Sequence, residues 1–224
     1  MKPFLSGNAL KLLAALFMTI DHVGVLLLPH VIVLRILGRL ALPIFAFMIA
    51  EGCRYTRNRL RYFGSVFALG VLCQIVYYLA DRSLYFSILI TFSLSIATIY
   101  ALQDWKEQKT TRSALVFFGA VAGVYALNRV FAIDYGFWGC MLPVFAAAFQ
   151  KTAWDRPWVN LGMLGLGLLV LAADLGQIQY YALPALPLLA CYNGRRGRWK
   201  LKYFFYLFYP IHLVLLQGIA LLLG

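Results

Sequence analysis

The chain has 224 residues, 63% hydrophobic and 12% charged, where an ordinary soluble domain is about 45–50% apolar and about 25% charged. No water-soluble shape of this size can hide so much apolar side chain, so a soluble globular domain is excluded and the bilayer is the solvent that fits. The formal charge of +12 could mean nucleic acid in a soluble protein, but here the basic residues sit in short loops between apolar runs, as in a membrane protein, and nucleic acid is discounted as a partner.

A membrane-spanning helix needs about 20 mostly apolar residues. Nine stretches are candidates: 8–28, 32–52, 62–80, 84–103, 113–128, 135–150, 157–173, 177–192 and 202–223. The fifth, sixth and eighth are the shortest. The first is interrupted by Asp21 and His22 and lacks a small-x-small cleavage pattern, so it reads as a permanent span and not a cleaved signal. The sequence therefore predicts an all-α polytopic bundle of about nine spans, a single integral membrane domain over residues 1–224. With the N-terminus inside, 16 of the 20 Lys and Arg residues fall on the inner side. Lys2, Lys11, Arg54, Arg57, Lys200 and Lys202 are among them. Only Arg82 and Arg129 fall outside, and Arg35 and Arg39 lie within the second span. This bias predicts an inner N-terminus and an outer C-terminus. Cys53, Cys73, Cys140 and Cys191 lie in or beside apolar runs without metal-ligand spacing, and read as small buried apolar residues with no disulfide and no metal role.

Ionisable groups inside a span cost at least about 2.5–3.5 kcal/mol each, so they are functional candidates by default. The first span carries Asp21 and His22 in its outer part. The second returns carrying Arg35 and Arg39, four residues apart on one helix face. A short turn around Pro29 and His30 joins these spans as antiparallel neighbours, so Asp21 can pair with either arginine. Glu51 lies 12 residues beyond Arg39, about 18 Å along a helix, near the inner surface where Arg54 can pair with it. Successive helix positions diverge by about 100°, so Asp21 is poorly placed to orient His22. An ion pair for Asp21 leaves His22 free to face a cavity, and an imidazole with an ordinary pKa near 6.5 suits a general base. His212 lies near mid-membrane in the last span, with Tyr209 at i−3. Pro210 frees the carbonyl of residue 206, and disrupted backbone at that depth must face protein or water. A structural ion pair, packing histidines and topology-anchoring basic loops are the plainer readings of these features.

The blocks IDHVG (20–24), GRLALPIFAF (38–47), QIVYYLA (74–80), DYGFWG (134–139) and FYPIHLVLL (208–216), in that order, resemble the TraX family. The resemblance covers most of the chain. It implies a link to N-terminal acetylation of a pilin subunit in conjugation, with acetyl-CoA as donor. More distantly the pattern is similar to polytopic acyltransferases that modify envelope glycans and carry an early intramembrane His with nearby Arg residues. By that resemblance His22 is the catalytic base, Arg39 and Arg35 contact the donor or steady developing charge, and His212 matches the late histidine.

The expectation is an acyl-CoA-dependent acetyltransferase. Its catalytic candidates are His22, Asp21 and His212. Its donor- and substrate-binding candidates are Arg35, Arg39, Tyr209, Glu51, Arg54 and Arg57. The acceptor is an amine or hydroxyl of a pilin or envelope glycan. The alternative is a transporter or an assembly scaffold for envelope or pilus components, without covalent chemistry. Against a transporter, the chain shows no repeat symmetry and no matched pair of broken spans.

Overall fold

Local signals along the chain set the helix starts. In the computed structural model, which describes residues 3–82, 84–199 and 201–223, Ser6 caps α1 (Gly7–Leu26) by accepting a hydrogen bond from the Ala9 N–H. Asn58 does the same for α4 (Arg59–Asp81) through Arg61. Thr110 and Ser113 form a reciprocal capping box at the start of α6 (Thr111–Val130). These side chains satisfy N–H groups that the first helical turn leaves without partners. The remaining helices are α2 (Ile32–Gly38), α3 (Ala41–Tyr55), α5 (Ile88–Gln108), α7 (Gly136–Ala147), α8 (Pro157–Leu175), α9 (Ala185–Ala190) and α10 (Lys202–Leu223). Lys2 and Lys200, two of the expected inner cations, lie outside the described residues, as does the side chain of Lys202.

Among the described residues, six helical segments are long and apolar enough to cross a membrane: Gly7–Leu26, Ile32–Tyr55, Arg59–Leu79, Ile88–Gln108, Thr111–Val130 and Pro157–Leu175. The chain is thus a multi-pass α-helical membrane protein. Two shorter apolar helices are Gly136–Ala147 and Leu207–Leu222. Three expected spans differ from a simple helix. The second is interrupted at Arg39–Leu40, which places Pro43 in the first turn of α3, where its missing N–H has no helical partner to lose. The sixth, expected over 135–150, is only the 12-residue α7, which rises about 18 Å and falls short of the hydrocarbon thickness. The eighth, expected over 177–192, is no single helix. It is a six-residue 3-10 turn, Gln177–Ala182, followed by the six-residue α9. Pro184 and Pro187 remove backbone donors there, and Gly176 enters the stretch at φ +99°, a conformation few L-residues adopt.

The helices group into two compact units, 1–48 with 176–224, and 49–175. In the first, the start of α1 and the residues before it are strapped to the segment 191–199. The Phe4 and Leu5 N–H groups both donate to the Cys191 carbonyl at 2.9 Å, and the Asn193 N–H donates to the Leu5 carbonyl. The Gly7 and Asn8 N–H groups donate to the carbonyls of Arg195 and Arg196 at 2.8 and 2.9 Å. The Asn8 side chain donates to the Trp199 carbonyl at 2.6 Å. Loop 193–199 is therefore fastened over the start of α1.

In the second unit α5 is central. Its Ser95 hydroxyl is bonded to the Cys140 carbonyl of α7 at 2.7 Å. Lys106 near its end donates to the Ala147 carbonyl at 2.9 Å. At the other end, the Phe86 N–H donates to the Ala132 carbonyl at 2.8 Å and the Phe86 carbonyl accepts from the Asp134 N–H at 2.9 Å, where the Tyr85 hydroxyl also donates to the Asp134 carboxylate at 2.9 Å. Such bonds replace the water that the bilayer interior lacks.

Candidate functional site

Asp21 reaches from α1 to both arginines of the following hairpin arm. Arg35 Nη1 donates to Asp21 Oδ2 at 2.7 Å and Arg39 Nη2 to Asp21 Oδ1 at 2.5 Å. The 35/39 spacing puts both guanidiniums on one face, and each carboxylate oxygen takes one of them. Arg39 is 4% exposed. One carboxylate between two guanidiniums leaves one formal positive charge inside the helix cluster.

Close approach of the hairpin arms depends on glycine. A Cβ on Gly38 would stand 2.3 Å from both Cβ and Oδ1 of Asp21, and one on Gly24 would stand 2.8 Å from Leu34 Cβ. We expect Gly38→Ala to destabilise the protein by about 1–3 kcal/mol through overpacking, read as a lower unfolding midpoint in detergent. An unchanged midpoint would show that the hairpin can widen freely.

His22 does not take its orientation from Asp21. Its Nδ1 lies 2.8 Å from the Met18 carbonyl oxygen, four residues back. A carbonyl only accepts, so Nδ1 carries the hydrogen and Nε2 of the neutral ring holds the lone pair. His212 repeats the arrangement on α10, with Nδ1 2.9 Å from the Phe208 carbonyl. Its Nε2 is buried without a hydrogen-bond partner among the described residues. The two imidazoles meet edge to face, with centroids 5.1 Å apart and planes at 71°. Phe208 stacks parallel on His212 at 5.0 Å, and Tyr209 abuts it at 5.5 Å. Asp21, Arg35 and Arg39 all lie close enough to act electrostatically on His22.

The opening hairpin and the closing helix thus bring His22, His212, Tyr209, Asp21, Arg35 and Arg39 together. The spacing of charges in the sequence anticipates the ion triad. It does not disclose the two carbonyl bonds that set the tautomers, nor the role of Gly38, because both follow from helix geometry and close packing.

The remaining candidates lie in the second unit. Glu51 is buried and accepts from Gln150 Nε2 at 3.2 Å. Arg54 approaches it at 3.5 Å and reaches Asp155 at 3.1 Å, while Asp155 also accepts from Asn160 Nδ2 at 3.0 Å. Arg59 pairs with Asp104 and approaches Glu107 at 3.8 Å. Arg57 is exposed. Opposite charges here are largely matched to one another. Glu51→Ala would leave the Gln150 amide without its partner, and we expect a loss of about 1–3 kcal/mol, measured by denaturant titration of the purified protein. Stability equal to the parent would mean that water replaces the carboxylate.

Comparison with known proteins agrees with these blocks of sequence. The family model described as TraX protein matches residues 6–220. The chain belongs to the TraX family. Among curated relatives, this TraX-family chain is 28% identical over 240 aligned positions to a probable fimbrial assembly protein FimC, serogroup H1, of Dichelobacter nodosus, with 94% of each chain covered. It is also 37% identical over 98 residues to the uncharacterized protein RP591 of Rickettsia prowazekii strain Madrid E, covering 43% of this chain and 38% of that one. No solved structure matches.

Proposed function

We propose that this TraX-family protein is an acyl-CoA-dependent acyltransferase of the bacterial inner membrane. It moves an acetyl group to an amine or hydroxyl of a pilin or other envelope acceptor. The observation that carries the reading is the pairing of a lone-pair-bearing His22 Nε2 with a neighbouring ion triad of net positive charge. A base and a preorganised cationic group side by side are what attack on a thioester requires.

In this reading the acceptor N–H or O–H gives its proton to His22 Nε2 as its heteroatom attacks the thioester carbonyl carbon. Negative charge gathers on the carbonyl oxygen, and Arg39, with Arg35, stabilises it. The C–S bond then breaks, the acyl group stays on the acceptor, and the proton passes from the imidazolium to the departing thiolate. The Nδ1–H bond to Met18 holds the ring in the required tautomer and disperses the imidazolium charge onto the carbonyl. His212, with Tyr209 beside it, shapes the pocket and offers a second nitrogen that can share the proton. The relative named as a fimbrial assembly protein supports a pilus-type acceptor. The excess of basic residues in the proposed inner loops supports an inner N-terminus and donor entry from the cytoplasm.

The test is an assay of purified protein in nanodiscs with acetyl-labelled acetyl-CoA and an amine-bearing pilin peptide. Label on the peptide together with stoichiometric free CoA is expected. Peptide movement across proteoliposomes with no CoA release would replace the enzyme reading with transport.

A further inference from the structure

The second unit carries an open apolar groove that acyl transfer does not use. α4 and α6 each pack against α5, so α5 forms a floor between two walls. Gly70 lets α4 sit close on that floor, since a Cβ there would stand 2.9 Å from Ile90 Cδ1. Ile90 and Leu94, one turn apart on α5, line the groove together with Phe67, Val71, Ile75 and Leu79 of α4. Leu127 lines it from α6, and the backbone-paired residues Phe86 and Ile133 line it at one end. The space measures about 510 Å³, within the range of about 300–1,000 Å³ usual for ligand sites. Its lining side chains are hydrocarbon apart from those of Gln74 and Tyr78.

The length of the groove and the charge at its end point to the occupant. From Phe67 to Leu79 is 12 residues, about 18 Å along a helix. That is little more than half of a hydrocarbon core about 30 Å thick. A partner's membrane-spanning helix would need a groove through both leaflets, whereas a lipid chain occupies one. One turn beyond Tyr78 stands Arg82, exposed, with its Cζ 5.3 Å from the centroid of the Tyr78 ring. A groove-lining ring therefore holds a guanidinium at the groove's mouth. Among the described residues, no carboxylate forms an ion pair with Arg82. Asp134, the acid of the neighbouring loop, accepts from the Tyr85 hydroxyl, and neither of these two lines the groove.

We infer that this groove holds one acyl chain of a membrane phospholipid, whose phosphate is met by Arg82. The lipid lies in the leaflet on the side of residues 82–87. Its chain fills the space over α5 between α4 and α6 and gives their side chains the dispersion contacts that an empty groove would forfeit. The planar guanidinium gives the phosphate charge-assisted hydrogen bonds, and its place at headgroup depth sets how far the chain descends. A bound lipid that recognises only the folded chain also stabilises it. The site lies wholly within residues 49–175 and stands whether or not His22 is a base.

The experiment titrates phosphatidylglycerol into the full chain, delipidated in detergent, and counts bound lipid by native mass spectrometry. It compares the parent with Val71→Trp, Arg82→Gln and Leu115→Trp. Val71 lines the groove and Leu115 is an exposed residue of α6 outside it. Gel-filtration profile and unfolding midpoint confirm that each variant is folded. Arg82 is exposed, so Arg82→Gln decides the matter if the tryptophan in the groove prevents folding. The parent and Leu115→Trp are expected to keep one phospholipid per chain with equal affinity. Val71→Trp, whose indole fills the groove, is expected to lose it, and Arg82→Gln to bind it about fivefold more weakly. Equal affinity in all four proteins would overturn the site. Diacylglycerol bound by the parent as tightly as phosphatidylglycerol would overturn it too, because no phosphate would then be recognised. A dimer of the parent that Val71→Trp splits, with lipid retention unchanged, would give the groove to a second copy of the chain and also overturn the inference.

Discussion

Asparagine in place of His22 is expected to lower acetyl transfer by about 10²–10⁴-fold, the range of a general base, while the protein still inserts and folds. The expectation follows from how the ring is held. Nδ1 serves the Met18 carbonyl, and an asparagine amide can make that same bond, so the local helix and its contact with α10 should survive. What asparagine cannot supply is the basic nitrogen at the Nε2 position. Alanine removes both groups and should lose at least as much activity, with some added loss of stability from the vacated contact with His212. The measurement is the initial rate of CoA release from acetyl-CoA by purified variant and parent in nanodiscs, with folding checked by gel filtration and thermal unfolding. Asparagine at position 22 with parental turnover would assign the chemistry to another residue.

Asp21→Ala should have the largest effect on stability, about 3–5 kcal/mol. That is the usual consequence of removing one partner from a buried ion cluster and leaving the other uncompensated. Two guanidiniums converge on this carboxylate, and Arg39 is buried. Alanine would remove the carboxylate on which both guanidiniums converge, with Arg39 in a low-dielectric interior. The double variant Asp21→Ala with Arg39→Met is expected to be less destabilised than Asp21→Ala alone, because one uncompensated charge has gone. Denaturant titration of the three proteins checks this. Additive losses, with the double variant the least stable, would show that the cluster stabilises the hairpin through packing and not through charge.

Several features of this arrangement can be read in the sequence, for identifiable reasons. Membrane character follows from composition, because no alternative solvent accommodates it. The ion triad follows from three charges placed at matching depth on two stretches joined by a short turn, since unpaired charges at that depth are too unfavourable to persist. The meeting of α1 and α10 has no local pattern, because long-range contact leaves no periodicity; the resemblance to the TraX family implies only that His22 and His212 belong to its shared pattern.

Other features leave weaker traces. The stretch 177–192 is as apolar as a span, and hydropathy alone does not register that Pro184 and Pro187 deny it a continuous helical ladder. The i+3 spacing pairs Glu51 with Arg54, and that contact is present, but the hydrogen bond from Gln150 comes from 99 residues away. The side-chain bonds from His22 and His212 to carbonyls four residues back are permitted by any helix. Only the rotamer decides whether they form, and no residue type announces it.

The account depends most on the state of one ring: His22 neutral, hydrogen on Nδ1, lone pair on Nε2. Nitrogen-15 magnetic resonance of histidine-labelled protein in bilayers, with His22→Asn to assign the signal, reads this directly. The account predicts a proton-coupled Nδ1 and an uncoupled, imine-type Nε2 for His22 at neutral pH. A proton on Nε2 with a bare Nδ1 would contradict it, because the bond to Met18 could not then exist and no base would face the acceptor.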